Sequence, residues 1–262
     1  MIKDTRLLIE RDLIYAPNKQ LLLTPENIGL IFEDVQLITP DGLSLHGWYI
    51  PGPDRLTLIW FHGNTGNIST RLDTIANVRR NLGYNIFIFD YRGYGLSSGE
   101  PSEEGTYLDS DAVMAYLLSS KNLEPSQTVL WGHSLGCAIA TEVATKYPTR
   151  ALILESGFTS VPAMSSHKYP FLPGVGFLTR ILFKTKYDIL SKLSSVHIPI
   201  LVIHGAQDSV VPHFMGETIF SYARPPKRFY SVKGAGHNNM YVTGGSNYYK
   251  VLYDFIENPR KT

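Results

Sequence analysis

Short apolar runs rich in β-branched residues alternate along the chain with longer segments whose apolar residues recur at helical spacing. Gly, Pro or polar residues that favour turns bound each run. This alternation is typical of a mostly parallel sheet with crossover helices. The runs predict about eight strands, namely Glu33–Thr39, Leu43–Ile50, Leu56–Phe61, Ile86–Asp90, Thr128–Trp131, Ala151–Leu154, Ile200–His204 and Arg228–Val232.

The connections between these runs complete the prediction. Pro40-Asp41-Gly42 separates the first two runs, and an Asp-Gly turn there predicts an antiparallel hairpin. Helical spacing predicts helices over Ser69–Leu82, Glu104–Ser119 and Leu135–Tyr147. No internal repeat or long linker interrupts the pattern, so we predict a single α/β domain over residues 1–262.

Residues 158–193 depart from this rhythm. The segment contains three prolines and a cluster of aromatic residues between two predicted strands. An insertion of this kind predicts a small cap over a binding site. The competing interpretation is an ordinary crossover whose helix packs its aromatic side chains on the sheet.

Charge and composition exclude several classes of protein. The chain has 24 basic and 23 acidic residues, a net charge of +1, and no basic stripe, so nucleic acid is not an expected partner. A single cysteine, Cys137, excludes an intramolecular disulfide framework and a zinc–thiolate cluster. No window is apolar and long enough for a signal sequence or a membrane span, so we expect a cytoplasmic protein.

A strand, the pentapeptide Gly132-His-Ser-Leu-Gly136 and a helix rich in small residues follow one another. In this context the pentapeptide predicts a strained turn that lifts the hydroxyl of Ser134 clear of the sheet. The two glycines relieve crowding at that turn. The helix that follows directs its positive dipole end at the serine, where negative charge develops during acyl transfer. Ser134 is therefore the candidate nucleophile.

A serine hydroxyl needs a base, and the base needs an acid that orients it. His237 lies in a glycine-rich loop after the last predicted strand and is the candidate base. Asp208 follows the strand Ile200–His204 and is the candidate acid. The chain order Ser134, Asp208, His237 is that of α/β-hydrolases. Glu155, which directly follows another strand, is the competing acid.

Acyl transfer also requires hydrogen-bond donors for the oxyanion. The backbone N–H of Leu135, the residue after the nucleophile, is one predicted donor. Asn64, in the loop His62-Gly63-Asn64-Thr65-Gly66, is the other, through its backbone N–H and its side-chain amide. A phosphate-binding loop is the alternative, but the Gly-Lys-Ser/Thr ending of such loops is missing.

Taken in order, six motifs resemble those of the α/β-hydrolase superfamily. They are Phe61-His-Gly-Asn, Phe89-Asp-Tyr-Arg-Gly-Tyr-Gly, Gly132-His-Ser-Leu-Gly, Glu155-Ser-Gly-Phe-Thr-Ser, His204-Gly-Ala-Gln-Asp and Gly236-His. The second resembles a segment shared by bacterial esterases and eukaryotic protein-depalmitoylating hydrolases. The resemblance implies a serine hydrolase that cleaves esters or thioesters of small acyl substrates through an acyl-enzyme, with no metal or organic cofactor.

Two other functions remain open from the residues alone. The same residues also serve aminopeptidases and amide hydrolases of this fold. A binding protein that keeps the pocket without turnover is a second alternative, since fold does not decide function.

Overall fold

The computed structural model describes the backbone of residues 5–261 and the side chains of residues 10–261. In that part of the chain the strands are β1 Ala16–Pro17, β2 Glu33–Ile38, β3 Ser44–Ile50, β4 Thr57–Phe61, β5 Thr65–Gly66, β6 Asn85–Phe89, β7 Thr128–His133, β8 Ala151–Glu155, β9 Ile200–Gly205 and β10 Lys227–Val232. The helices are α1 Thr5–Ile14, α2 Leu72–Leu82, α3 Glu103–Ser119, α4 Leu135–Lys146, α5 Val161–Lys168, α6 Val175–Leu182, α7 Ile189–Leu193, α8 His213–Tyr222, α9 Met240–Thr243 and α10 Gly245–Glu257.

Eight strands form one sheet in the order β10-β9-β8-β7-β4-β6-β3-β2, while β1 pairs with β5 in a separate two-stranded ladder. Six strands run parallel, and β3 and β2 are antiparallel to their neighbours. The predicted mostly parallel sheet of about eight strands is therefore confirmed, as is the hairpin at the Asp-Gly turn. The central strands are buried on both faces, which explains their nearly continuous apolar sequences.

Helices cover both faces of the sheet and divide the core into two layers. On one face α3, α4, α7 and α8 supply buried side chains such as Met114, Ile139 and Ile219. On the other face α2, α9 and α10 supply Ile75 and Leu252 among others. Each large aliphatic side chain removed from water contributes roughly 1.5–3 kcal/mol, so these two layers hold the sheet edge in place.

The cap is narrower than the sequence predicted. Helices α5 and α6 project beyond the sheet, but the chain re-enters the core at Tyr187, whose hydroxyl bonds those of Tyr15 and Thr106. Ile189 and Leu193 are fully buried in the layer that contains α4. The segment from Tyr187 to Leu193 therefore belongs to the scaffold, because its apolar side chains pack on α4.

Glu10 fastens the end of the cap to α1. Its carboxylate accepts the backbone N–H groups of Lys184 and Thr185.

No helix formed by residues 5–261 is both long and apolar enough to cross a bilayer. The expectation that the chain has no signal sequence depends partly on residues 1–4, which lie outside the described residues.

Candidate active site

Ser134 occupies a one-residue turn between β7 and α4, with φ 53° and ψ −116°. This conformation is strained for a residue that carries a side chain. Its surroundings leave no room for larger neighbours. A Cβ atom at Gly132 would lie 2.5 Å from the backbone of Cys137, and one at Gly136 would lie 1.9 Å from the carbonyl oxygen of Phe61. The two glycines are therefore a requirement of the turn.

Three of the predicted site residues lie together at the carboxyl edge of the sheet. The Nε2 atom of His237 is 3.0 Å from the Oγ of Ser134. The Nδ1 atom of His237 is 2.8 Å from the Oδ2 of Asp208. The imidazole thus lies between a hydroxyl and a carboxylate, with one ring nitrogen facing each, an arrangement that can move a proton from the hydroxyl.

The carboxylate of Asp208 is held at both oxygens. Its Oδ1 accepts the backbone N–H groups of Val210 and Val211, each at 2.9 Å. Its Oδ2 accepts the hydroxyl of Ser156 at 3.0 Å and lies 3.4 Å from Nε2 of His204. Burial raises the pKa of Asp208, but the neighbouring His204 and His237 side chains and the backbone N–H of Val211 outweigh it and hold that pKa well below its usual range. Asp208 is therefore ionised in the site.

Glu155, the competing acid, faces away from His237. Its Oε2 accepts the indole N–H of Trp131 at 2.7 Å and the hydroxyl of Tyr248 at 2.9 Å. Burial raises the pKa of Glu155 to about 7, against the lowering by these two hydrogen bonds. Both hydrogen-bond partners of this carboxylate are side chains of the core.

The loop after β4 brings Asn64 to the same pocket as Ser134 and Leu135. The side-chain amide of Asn64 donates one of its two N–H groups to the carbonyl of Ile14 at 2.9 Å, and a role for the other at an oxyanion stays a prediction for Asn64. Its backbone N–H has no acceptor among the residues that the structure describes. Leu135 is the first residue of α4, and a first-turn N–H has no partner within its helix. Both backbone donors can therefore face a ligand.

Two neighbouring histidines are structural. Burial lowers the pKa of His133 to about 3, so the ring is neutral and its Nε2–H donates to the carbonyl of His237 at 3.1 Å. The Nδ1 atom of His62 bonds the carbonyl of Gly63, and its ring stacks on Tyr91 at 4.2 Å between centroids. Both rings fix the backbone beside the site.

Ser134 opens into a cavity of about 740 Å³ beneath the cap. Its wall is mostly apolar and comes from α1, α5, α6 and the loop after Asp208. The side chains include Ile14, Phe158, Val161, Met164, Leu178, Leu182, Phe183 and Val211. This volume falls in the range typical of sites for small organic ligands. No group of His, Cys, Asp and Glu within the described part of the chain could hold a metal ion.

Sequence reasoning missed two residues of the site. Ser156 and His204 both reach the carboxylate of Asp208. The Nε2–H of His204 donates to the carbonyl of Val211 at 2.9 Å, which holds the ring beside this carboxylate. The signal for Ser156 was its place between a strand and a glycine, where it takes φ 51°.

Comparison with known proteins agrees with this fold. A family model described as "alpha/beta hydrolase fold" matches residues 57–176. An uncharacterized protein of Mycobacterium tuberculosis is 36% identical over 94% of this chain and 85% of its own length. The alpha/beta hydrolase domain-containing protein WAV2 of Arabidopsis thaliana is 31% identical, over 95% of this chain and 87% of its own. The chain belongs to the α/β-hydrolase fold family.

A solved esterase structure from Pyrococcus furiosus superposes with a TM-score of 0.74 at 20% identity, covering 93% of this chain and 97% of that one. At this identity the likeness shows a shared fold. The narrower resemblance carried by the Phe89-Asp-Tyr-Arg-Gly-Tyr-Gly segment stays a prediction.

Proposed function

We propose that this chain is a serine hydrolase that cleaves carboxylic esters or thioesters through an acyl-enzyme on Ser134. The observation that carries the proposal is the relay of Ser134, His237 and Asp208, joined at 3.0 and 2.8 Å, at the end of a largely apolar cavity. An apolar cavity of this size suits an acyl chain, and the relay suits attack on its carbonyl carbon.

In the first half of the reaction, the Oγ of Ser134 attacks the carbonyl carbon while its proton passes to Nε2 of His237. The ionised carboxylate of Asp208 orients the ring through Nδ1–H and stabilises the imidazolium. The backbone N–H groups of Leu135 and Asn64 donate to the oxyanion. When the tetrahedral intermediate collapses, the alcohol or thiol leaves with the proton from Nε2.

In the second half, water attacks the acyl carbon and gives a proton to Nε2 of His237. Collapse releases the carboxylic acid, and the proton returns to the Oγ of Ser134. Each proton that His237 accepts is handed on, so the relay ends each cycle as it began.

A substrate panel tests this proposal. Wild-type protein and Ser134→Ala are assayed on acyl esters, acyl thioesters and aminoacyl amides, with fluorophosphonate labelling measured in parallel. We expect turnover of esters or thioesters and labelling in the wild type only. Higher kcat/KM on aminoacyl amides would favour a peptidase, and a wild type with neither turnover nor labelling would favour a non-catalytic binding protein.

A further inference from the structure

Helix α6 is turned the opposite way from an ordinary surface helix. Its buried positions are Gly176 and Thr179, whereas its large apolar residues face outward. Phe177 is 67% exposed and Ile181 is 61% exposed. A helix of a folded domain normally buries its apolar stripe and exposes its polar one.

Packing against α5 explains why the inner face must be small. A Cβ atom at Gly176 would lie 1.9 Å from the Oγ of Ser166 and 2.9 Å from the carbonyl oxygen of Pro162. The hydroxyl of Thr179 turns back onto the carbonyl of Val175 at 2.8 Å. The inner face of α6 thus lies close against α5. The space between the two helices is too small for the large apolar side chains of the outer face.

We call the exposed side chains of this region the apolar cap face. It consists of Phe171, Leu172, Phe177, Leu178, Ile181 and Leu182, each about half exposed or more. A contiguous apolar surface of this kind usually marks a site of interaction with a membrane or another molecule.

The apolar cap face runs into the mouth of the cavity that holds Ser134. Leu178 and Leu182 belong both to the face and to the cavity wall. Across the mouth, Leu13 and Val210 also line the cavity and are 61% and 54% exposed. Apolar side chains therefore lie on both sides of the entrance, and their exposure to water is unfavourable in free energy.

Charge is distributed unevenly around this surface. Residues 158–187 contain four Lys or Arg and no Asp or Glu, although the whole chain has a net charge of only +1. Lys168, Arg180 and Lys184 are exposed. None of these three makes an ion pair with any residue that the structure describes. Within the part of the chain that the structure describes, the apolar cap face thus has a basic rim whose charges are not neutralised by ion pairs.

We propose that the apolar cap face and its basic rim dock on an anionic lipid surface, with the mouth of the cavity opening towards the lipid. Apolar side chains that enter the interface gain burial. Basic side chains beside them are attracted by the negative surface potential of an anionic membrane. The docking goes beyond the proposed hydrolysis, since it requires no turnover at Ser134.

A second copy of this chain is a poorer occupant for the same surface. A two-fold interface places the same patch on both sides. Arg180 and Lys184 would then lie against basic residues of the other copy, with no acidic residue of the patch to offset them. A lipid surface supplies the missing negative charge.

Vesicle binding tests the proposal, and it is measured in the Ser134→Ala background so that the outcome is independent of hydrolysis. We expect sedimentation with phosphatidylcholine vesicles containing roughly 30% phosphatidylserine, and at least tenfold weaker binding to pure phosphatidylcholine. Added salt should weaken binding to the charged vesicles, because it screens the basic rim. Absence of binding to the charged vesicles at low salt overturns the proposal.

Matched variants locate the docking surface. Phe177→Asp with Ile181→Asp should lower binding at least tenfold, whereas Ile38→Asp with Val242→Asp, two exposed apolar sites elsewhere, should not. Arg180→Glu with Lys184→Glu should weaken binding, and Arg80→Glu with Lys250→Glu, which change the net charge equally, should weaken it much less. Equal losses in the test and control pairs contradict docking through the cap.

A milder substitution keeps the test decisive if the double variants unfold. All three native tryptophans are buried in the sheet, so Phe177→Trp adds a reporter in the apolar cap face. Its emission should shift to shorter wavelength when anionic vesicles are added. An unchanged emission overturns the proposal, as does a dimer in sedimentation that Phe177→Asp with Ile181→Asp dissociates while vesicles bind no protein.

Discussion

The carboxyl edge of the sheet and the cap beside it are built in opposite ways. At the sheet edge, the side chains of Ser134, His237 and Asp208 are held by hydrogen bonds, and the Asp208 carboxylate alone accepts from two backbone N–H groups, a hydroxyl and an imidazole. In the cap, large apolar side chains such as Phe177 and Ile181 face outward and are mostly exposed. The first region is arranged for a reaction at fixed atoms, and the second is arranged for contact with something outside the chain.

We expect substitutions at the sheet edge to abolish hydrolysis. Ser134→Ala removes the attacking atom, so we expect kcat on an ester to fall by about 10⁴-fold or more. Steady-state kinetics measure the loss, and circular dichroism with urea unfolding should show a folded protein. A folded Ser134→Ala protein with wild-type turnover would contradict the assignment of the nucleophile.

Asp208→Asn compared with Glu155→Gln separates the two carboxylates that follow neighbouring strands. Asparagine has no negative charge to stabilise the His237 imidazolium, and it no longer fixes the tautomer with the proton on Nδ1. We therefore expect turnover to fall by roughly 10³–10⁴-fold. Glu155 contacts only Trp131 and Tyr248 in the core, so Glu155→Gln should keep turnover within a few-fold and change mainly stability. The reverse ranking of kcat in the two folded variants would make Glu155 the acid.

Glycine-to-alanine substitutions test how closely the backbone is packed in the two regions. Gly136→Ala places a methyl group against the backbone of Phe61 and should cost about 3 kcal/mol or more in the free energy of unfolding. Gly174, before α6, has open space but φ 78°, so Gly174→Ala should cost only about 1 kcal/mol from backbone strain. Urea unfolding measures both, and equal costs would mean that the turn at Ser134 is less crowded than the structure shows.

Stability should also depend on pH through Glu155. The pKa of Glu155 is raised from 4.5 to about 7 in the folded protein, so the folded state keeps a proton that the unfolded chain loses between these values. Its contribution to stability is present below pH 4.5 and is lost as the pH rises through 7. Relative to Glu155→Gln, the wild type should lose roughly 1–3 kcal/mol of unfolding free energy over this range. A difference that stays constant with pH would contradict burial of an ionisable Glu155.

The residues of the sheet edge could be predicted from the sequence because the backbone there requires particular residue types at particular positions. Gly132 and Gly136 are dictated by close backbone contacts, and the strands before Ser134 and Asp208 are bounded by their own apolar runs. The orientation of Glu155 could not be predicted, since it depends on Trp131 and Tyr248, which are distant in sequence. The extent of the cap could not be predicted either, because whether an aromatic residue turns inward, as Tyr187 does, or outward, as Phe177 does, is set by tertiary packing.

Mapping a covalent adduct identifies the nucleophile itself, without relying on rates. The wild-type protein is treated with a fluorophosphonate, digested, and analysed by tandem mass spectrometry. We predict a single phosphonylated residue, Ser134, and no adduct when the same experiment is done on His237→Ala, because the hydroxyl then has no base. An adduct on another residue of the wild type, or undiminished labelling of folded Ser134→Ala, would show that Ser134 is not the nucleophile.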